Sequence, residues 1–490
     1  MALDPLVEII HSGSVADWRK RNEAAFDTLF GTTSGRYPKA ARDKVMLRAP
    51  EMAADSGVPF AAYIHPSNPP SGPYSGLSFV MFPAPEQPCL IGMVVGTQGL
   101  APDEAVLGRP GHARKMQAIC AWLNHELGKG SQVAWAKQDP TRIDLNIPRE
   151  VCQKWPAFQT VFERYGQVLY ALFHPTGDRS ETELALKAFL DVMFAERGHV
   201  PLGAHKPDAD VMQASWFEHL MPTVTRGEVT SLLQRRRYVI VQGPPGTGKT
   251  RMARAILAGE YGGFGTSIQF HPNTTYEGFI GGLNPVASAR GIGFQFAPKS
   301  GFLMEGAARA LTHPDQHYLL HIDEINRADL GKILGEAIYL LETDTESKRQ
   351  IDLPYDFGEP FHQTFSLPDN LHILGTMNSA DRSIAILDVA VRRRFAFVSL
   401  WPSTKVVEEL GCGTTRRAFR DLLSIFVEHA SEEAFPLVPG HSYFLEADEK
   451  LAAERLRVSL VPLLEEYLAQ GYVTGFAESI RSYLQWLRAM

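Results

Sequence analysis

The sequence predicts an α/β protein: a parallel sheet with helices on both faces, built on a phosphate-binding loop, closed by a helical lid and preceded by an α+β domain. Three observations carry this. The stretch Gly243-Pro244-Pro245-Gly246-Thr247-Gly248-Lys249-Thr250 follows the apolar run RYVIVQ and leads into helix-period residues. After it, the strand-like runs SIQF, YLLHID and LHILGTM alternate with helical segments, the order of βα units. From about residue 403 onward strand-like runs stop and helical periodicity dominates.

In chain order, residues 1–200 are predicted to form the α+β N-terminal domain, 201–212 a linker, 213–402 the P-loop core and 403–490 the lid. The first 55 or so residues space Leu6, Ile9, Ile10, Trp18, Phe26, Leu29 and Phe30 at helical intervals. PFAAYIHP, SGLSFVMFP and CLIGMVVG are short β-rich runs between Pro, Ser and Gly clusters and predict a small sheet. Helical spacing returns at Lys115–Leu127, Trp155–Phe173 and Glu181–Phe194, with a strand-like QVAWAK after the first. The linker is placed at RGHVPLGAHKPDAD because of its glycines, prolines and charges.

A chain of 490 residues has room for about three domains. With 44% hydrophobic and 21% charged residues it is an ordinary globular chain, and its net charge of −7 excludes a nucleic-acid coat held by overall positive charge. Cys89, Cys120, Cys152 and Cys412 are too scattered for a zinc knuckle and too few for a disulfide framework. The start MALDPLVEII lacks a secretory signal pattern and no run is long enough to span a membrane, so a cytoplasmic protein is expected.

The chemistry is concentrated in three strand ends. Gly243–Thr250 fits G-x-x-x-x-G-K-[ST]. Its glycines turn backbone N–H groups onto phosphates, Lys249 reaches the β and γ phosphates, and Thr250 offers a hydroxyl to Mg²⁺. Tyr318–Glu324 is an apolar strand ending in two carboxylates: Asp323 for the metal, and Glu324 to polarise an attacking water. The third strand ends in Gly375-Thr376-Met377-Asn378-Ser379-Ala380-Asp381-Arg382-Ser383, followed by Arg392-Arg393-Arg394.

On these residues the chain resembles the McrB-like branch of AAA+ nucleotidases, the motor subunits of restriction systems directed at modified DNA, whose signature is Met-Asn-x-Ala-Asp-Arg-Ser. HPNTTYEGFIGGLNP, DEINRADLGKILGEAIYLLE and PGHSYFL follow the same order, and the resemblance covers roughly residues 215–485. It implies that Asn378 senses the γ-phosphate and water, that Asp381 acts in the same loop, and that Arg393 and Arg394 are fingers reaching a neighbour's nucleotide. It also implies a homo-oligomeric ring, a hexamer, acting on DNA, modified or not, with a McrC-like nuclease subunit. Mg²⁺ and either ATP or GTP complete the expectation, since the loop reads phosphates and not the base. The bland alternative for Arg392–Arg394 is a solvated basic turn. A MoxR-like or dynein-related chaperone is the competing function, and a nucleotide switch that scarcely hydrolyses conflicts with Glu324 and Arg393.

Elsewhere the residues say less. His441 beside Ser442 in GHSYFL does not make a hydrolase, because sequence neighbours do not converge in a triad and no G-x-S-x-G elbow exists; packing or a sensor role in the lid is the reading. His271 and His321 have no metal-ligand partner at i+4. In the N-terminal domain, Arg36, Lys39, Arg42, Lys44 and Arg48 are expected on a helix whose basic face contacts DNA phosphates or is merely solvated. GPYSGLSF or Trp135-Ala-Lys137 could form a base pocket, with core as the alternative for Trp135.

Overall fold

The computed structural model describes residues 2–50, 57–70, 72–96, 98, 103–287, 294–342, 349–380 and 389–490. The chain divides into two compact units, Met1–Met221 with Val427–Ser431, and Pro222–Phe426 with Glu432–Met490.

In the first unit six antiparallel strands lie in the order Met46–Arg48, Ala61–Ile64, Leu77–Ala84, Gln87–Val95, Leu169–Phe173, Ala134–Ala136. Side chains alternate across a strand, and here both faces are covered. Phe79, Met81, Ile91 and Met93 pack with Trp18, Phe26, Ile119, Phe189 and Trp216 from helices on one side. Val80, Phe82, Leu90 and Val94 pack with Trp155, Phe158 and Phe162 on the other. The whole of Leu77–Ala84 is therefore buried.

Three expectations for this unit are corrected. Residues 169–173 lie in a central strand, not a helix: every side chain of LYALF is buried, and a continuous apolar run reads alike in either conformation. The expected linker 201–212 is largely helical, since Lys206–Leu220 forms a helix that puts Met212 and Trp216 into the unit's core, and the division falls after Met221. Arg36 to Arg48 is not a helix either. It runs as a short strand Tyr37–Pro38, a 3₁₀ turn Lys39–Lys44 and the edge strand Met46–Arg48.

Arg36 shows why. Its side chain is 1% exposed and grips Asp191 with two nitrogens, Nε donating at 2.8 Å, while Nη1 reaches Asp208 at 3.2 Å. The Tyr37 hydroxyl donates to the same Asp191 carboxylate at 2.6 Å. Arg42 lies over the Phe26 ring, and Arg48 lies near Phe60 and Tyr74. Arg36 is thus a structural cation and is withdrawn as a phosphate contact. Lys137 is likewise internal: its ammonium donates to the carbonyls of Arg142, Leu145 and Gln167, while the half-buried Trp135 packs against the second core.

The second unit carries five parallel strands, here β1 (Tyr238–Gly243), β2 (Gly265–Gln269), β3 (Tyr318–Asp323), β4 (Leu371–Asn378) and β5 (Ala396–Ser399), in the order β2-β3-β4-β1-β5. β1 and β3 are almost wholly buried, as strands with helices on both faces must be. A capping box between Thr225 and Glu228 starts the helix Arg226–Arg236 ahead of β1. Beyond β5 come Thr404–Leu410, Gly413–His429, Glu449–Ala469 and Ala477–Ala489, an all-helical lid apart from short 3₁₀ turns. No helix among the described residues is long and apolar enough to cross a membrane.

Breaking a buried ion pair by removing one partner leaves an uncompensated charge. Arg36→Ala should therefore destabilise the N-terminal unit by about 3–5 kcal/mol, whereas the exposed Lys39→Ala should stay within about 0.5 kcal/mol. Urea unfolding followed by tryptophan fluorescence measures both. Equal, small effects would show that Arg36 does not hold the unit together.

Candidate active site

The strand order decides the site. β4 lies between β1 and β3, so the ends of all three strands, carrying the P-loop, Asp323 and Asn378, stand side by side at one edge of the sheet. Asn378 is in register with Gly243, and Ser379 N donates to Gly243 O at 3.0 Å. Ligands of open parallel sheets bind at this carboxyl edge.

Within the loop, Gly246 and Gly248 take φ of 83° and 84°, values that L side chains adopt only with strain. They let the chain curl into the helix Lys249–Gly259 and aim its first N–H groups at one point. Thr247 Oγ1 closes the curl by donating to Pro244 O at 3.0 Å. The Lys249 ammonium donates to the carbonyls of Gly243 and Pro244 at 2.9 and 2.8 Å. Burial pulls its pKa down to about 8, with Glu324 and Asp323 opposing the shift.

Asp323 joins the parts. Its carboxylate accepts from Thr250 Oγ1 at 3.0 and 3.2 Å and from Thr376 Oγ1 of β4. One hydroxyl and one carboxylate, all oxygen, suit Mg²⁺, which keeps waters and takes its other ligands from substrate phosphates. Among the described residues no cluster of three or more His, Cys, Asp or Glu offers a dedicated metal cage. Thr250 and Asp323 would hold the ion, which supplies charge neutralisation at the phosphates.

Glu324 leaves β3 with φ of 53°, a left-handed conformation costing a non-glycine residue about 1–3 kcal/mol. Its carboxylate stands 3.5 Å from Arg327 Nε. Asn378 Oδ1 accepts from Ala380 N at 3.1 Å, which leaves its NH₂ as the donor for a ligand. Asp381 lies outside the described residues.

The three arginines separate. Arg394 is 11% exposed and binds Glu342 Oε1 at 2.5 Å within its own chain, while Arg393 is 69% exposed and stands 3.5 Å from the same oxygen. Arg392 lies over the Phe397 ring. Of the two expected fingers, Arg393 is the exposed one, whereas Arg394 is held by Glu342.

Residue patterns missed the lid's contact with the loop. Gly440 N donates to Pro245 O at 2.8 Å and Ser442 N to Gly246 O at 3.0 Å, so the turn Pro439–Tyr443 clasps the P-loop. A Cβ on Gly440 would sit 2.1 Å from the Gly246 carbonyl carbon, so only glycine fits. A Pro-Gly pair is a local turn signal, but what the turn grips is set by tertiary structure. Ser379 Oγ adds a bond to Pro436 O at 3.0 Å.

Two changes should separate the roles. Lys249→Ala should weaken nucleotide binding by roughly tenfold or more through loss of a charged phosphate contact. Glu324→Gln should bind normally and hydrolyse about 100-fold or more slowly. Equilibrium binding and phosphate release report these independently, and unchanged turnover in the Gln variant would refute the water-polarising role.

Residues 238–395 match the family described as AAA domain (dynein-related subfamily). Over 355 residues the chain is 29% identical to the type IV methyl-directed restriction enzyme EcoKMcrB subunit of Escherichia coli K12, covering 66% of this chain and 76% of that one. It is 28% identical over 210 residues to component YdiS of the type II restriction enzyme BsuMI of Bacillus subtilis 168, covering 36% of this chain and 60% of the relative. The parallel sheet with P-loop, Asp323-Glu324 and Asn378 at one edge, joined to these likenesses, makes residues 238–395 an AAA domain in a chain similar to McrB-type restriction subunits.

Proposed function

We propose that the chain is the ring-forming motor of a McrBC-like restriction or anti-phage defence system, hydrolysing ATP or GTP to drive a partner nuclease on DNA. The carrying observation is the split between a phosphate site assembled within one chain and an exposed Arg393. An arginine displayed to solvent stabilises transition-state charge only when another copy brings its nucleotide to it. Hydrolysis then answers to assembly, and Asp381 is assigned to the same loop as the sensor Asn378. The two relatives are by name a subunit and a component of restriction enzymes, which favours this reading over a remodelling chaperone. A McrC-like subunit would carry the cutting site, and the N-terminal unit would recognise the DNA. With Arg36 internal, its phosphate contacts must come from other residues.

Mixing two inactive chains tests the trans arrangement. Arg393→Ala retains an intact P-loop and Lys249→Ala retains an intact finger, so mixed rings contain some interfaces with both. Phosphate release should reappear in mixtures, peaking at intermediate ratios. Co-assembly without recovered hydrolysis would contradict action in trans.

A further inference from the structure

The lid turn that clasps the P-loop carries one imidazole whose hydrogen bonding the fold does not complete. His441 lies between Gly440 and Ser442, whose N–H groups bond to Pro245 O and Gly246 O. Both flanking residues are thereby fixed to the loop, and the imidazole is fixed with them. Its Nδ1 accepts from Ser403 N at 3.2 Å, at the N-cap of the first lid helix, Thr404–Leu410. Its Nε2 stands 3.9 Å from where a Cβ on Gly248 would be, beside the residue that opens the P-loop helix. Among the described residues Nε2 has no hydrogen-bond partner.

The tautomer follows from these contacts. A nitrogen that accepts from a backbone N–H carries no proton, so in the neutral ring the proton is on Nε2. Burial, helped by the Arg251 charge, pushes His441 below the usual histidine range, which keeps the ring neutral near pH 7. A phosphate oxygen held by the N–H groups at Gly248 and Lys249 would lie about 3 Å from those nitrogens. That is within reach of a donor poised over Gly248.

We propose that His441 is a nucleotide contact supplied by the lid, its Nε2–H donating to a phosphate oxygen of the triphosphate seated in the P-loop. The lid then closes on the part that ATP and GTP share and cannot distinguish their bases through this residue. The clasp gives the contact its consequence: a nucleotide that engages His441 also steadies the Pro439–Tyr443 turn, coupling occupancy to lid position. The inference rests on the reading that Gly243–Thr250 binds the triphosphate.

Two substitutions divide the ring's two jobs. His441→Gln places an amide N–H near the Nε2 position and lacks the Nδ1 acceptor, whereas His441→Asn places an acceptor near Nδ1 and lacks the distal donor. Binding of ATPγS and GTPγS with Mg²⁺ would be measured on the full chain, alongside thermal melting and a Lys249→Ala control. The expected result is affinity within about threefold for Gln and a loss of roughly tenfold for Asn, equal for both nucleotides, as suits one lost hydrogen bond to a charged group. If Asn does not fold, His441→Met, of Gln's length but without a donor, takes its place. Equal losses in Gln and Asn, or full affinity in Asn, would overturn the contact. Loss for one nucleotide alone would assign His441 to the base and overturn the phosphate claim. If Lys249→Ala also binds normally, the P-loop reading itself fails; if it binds weakly while Asn binds fully, only the His441 inference does.

Discussion

The Asp323 carboxylate is the point on which the site at the sheet's carboxyl edge depends. It receives the hydroxyl of Thr250 from the P-loop helix and that of Thr376 from β4, so one side chain ties together three segments 73 and 53 residues distant in sequence. A carboxylate has about four acceptor sites, enough to take both hydroxyls and still present oxygen to a hydrated cation. The bond works only because β4 is inserted between β1 and β3, which brings the three strand ends to one edge. Sheet order and site chemistry are therefore one constraint.

Around that centre the chain separates what is held from what is offered. Lys249 and Thr247 bond to carbonyls of their own loop, and Arg394 is paired with Glu342 of its own chain. Arg393, one residue away, is displayed to solvent. Its neighbour's anchoring to Glu342 fixes the short helix Val389–Arg394 that bears it, so the exposed guanidinium projects from a supported backbone. The lid contributes backbone donors through a turn in which glycine is obligatory, so loop and lid share a tight contact.

How much of this the sequence disclosed depended on how local each signal was. The P-loop was legible because eight contiguous residues, a strand and a helix specify it together. Asp323, Glu324 and Asn378 were legible as polar residues closing apolar strands, but the Asp323–Thr376 bond was not, because Thr376 is one hydroxyl among many until strand order is known. Arg36 misled because basic spacing looks the same whether its partners are water or Asp191 and Asp208, over 150 residues away. LYALF misled because complete burial erases the alternation that marks a strand. The clasp at Gly440 lies nearly 200 positions beyond the loop it grips, and no periodicity reports such a contact.

The central claim, that one chain builds the phosphate site and another completes it, is tested most directly by phosphate release per chain as chain concentration is raised, with saturating Mg²⁺ and either ATP or GTP. If Arg393 acts across an interface, specific activity should climb by roughly 10³-fold or more between dispersed and assembled protein, the scale of an arginine finger, and follow the oligomer fraction measured by light scattering. Specific activity that is constant from dispersed monomer to assembled ring would contradict the claim.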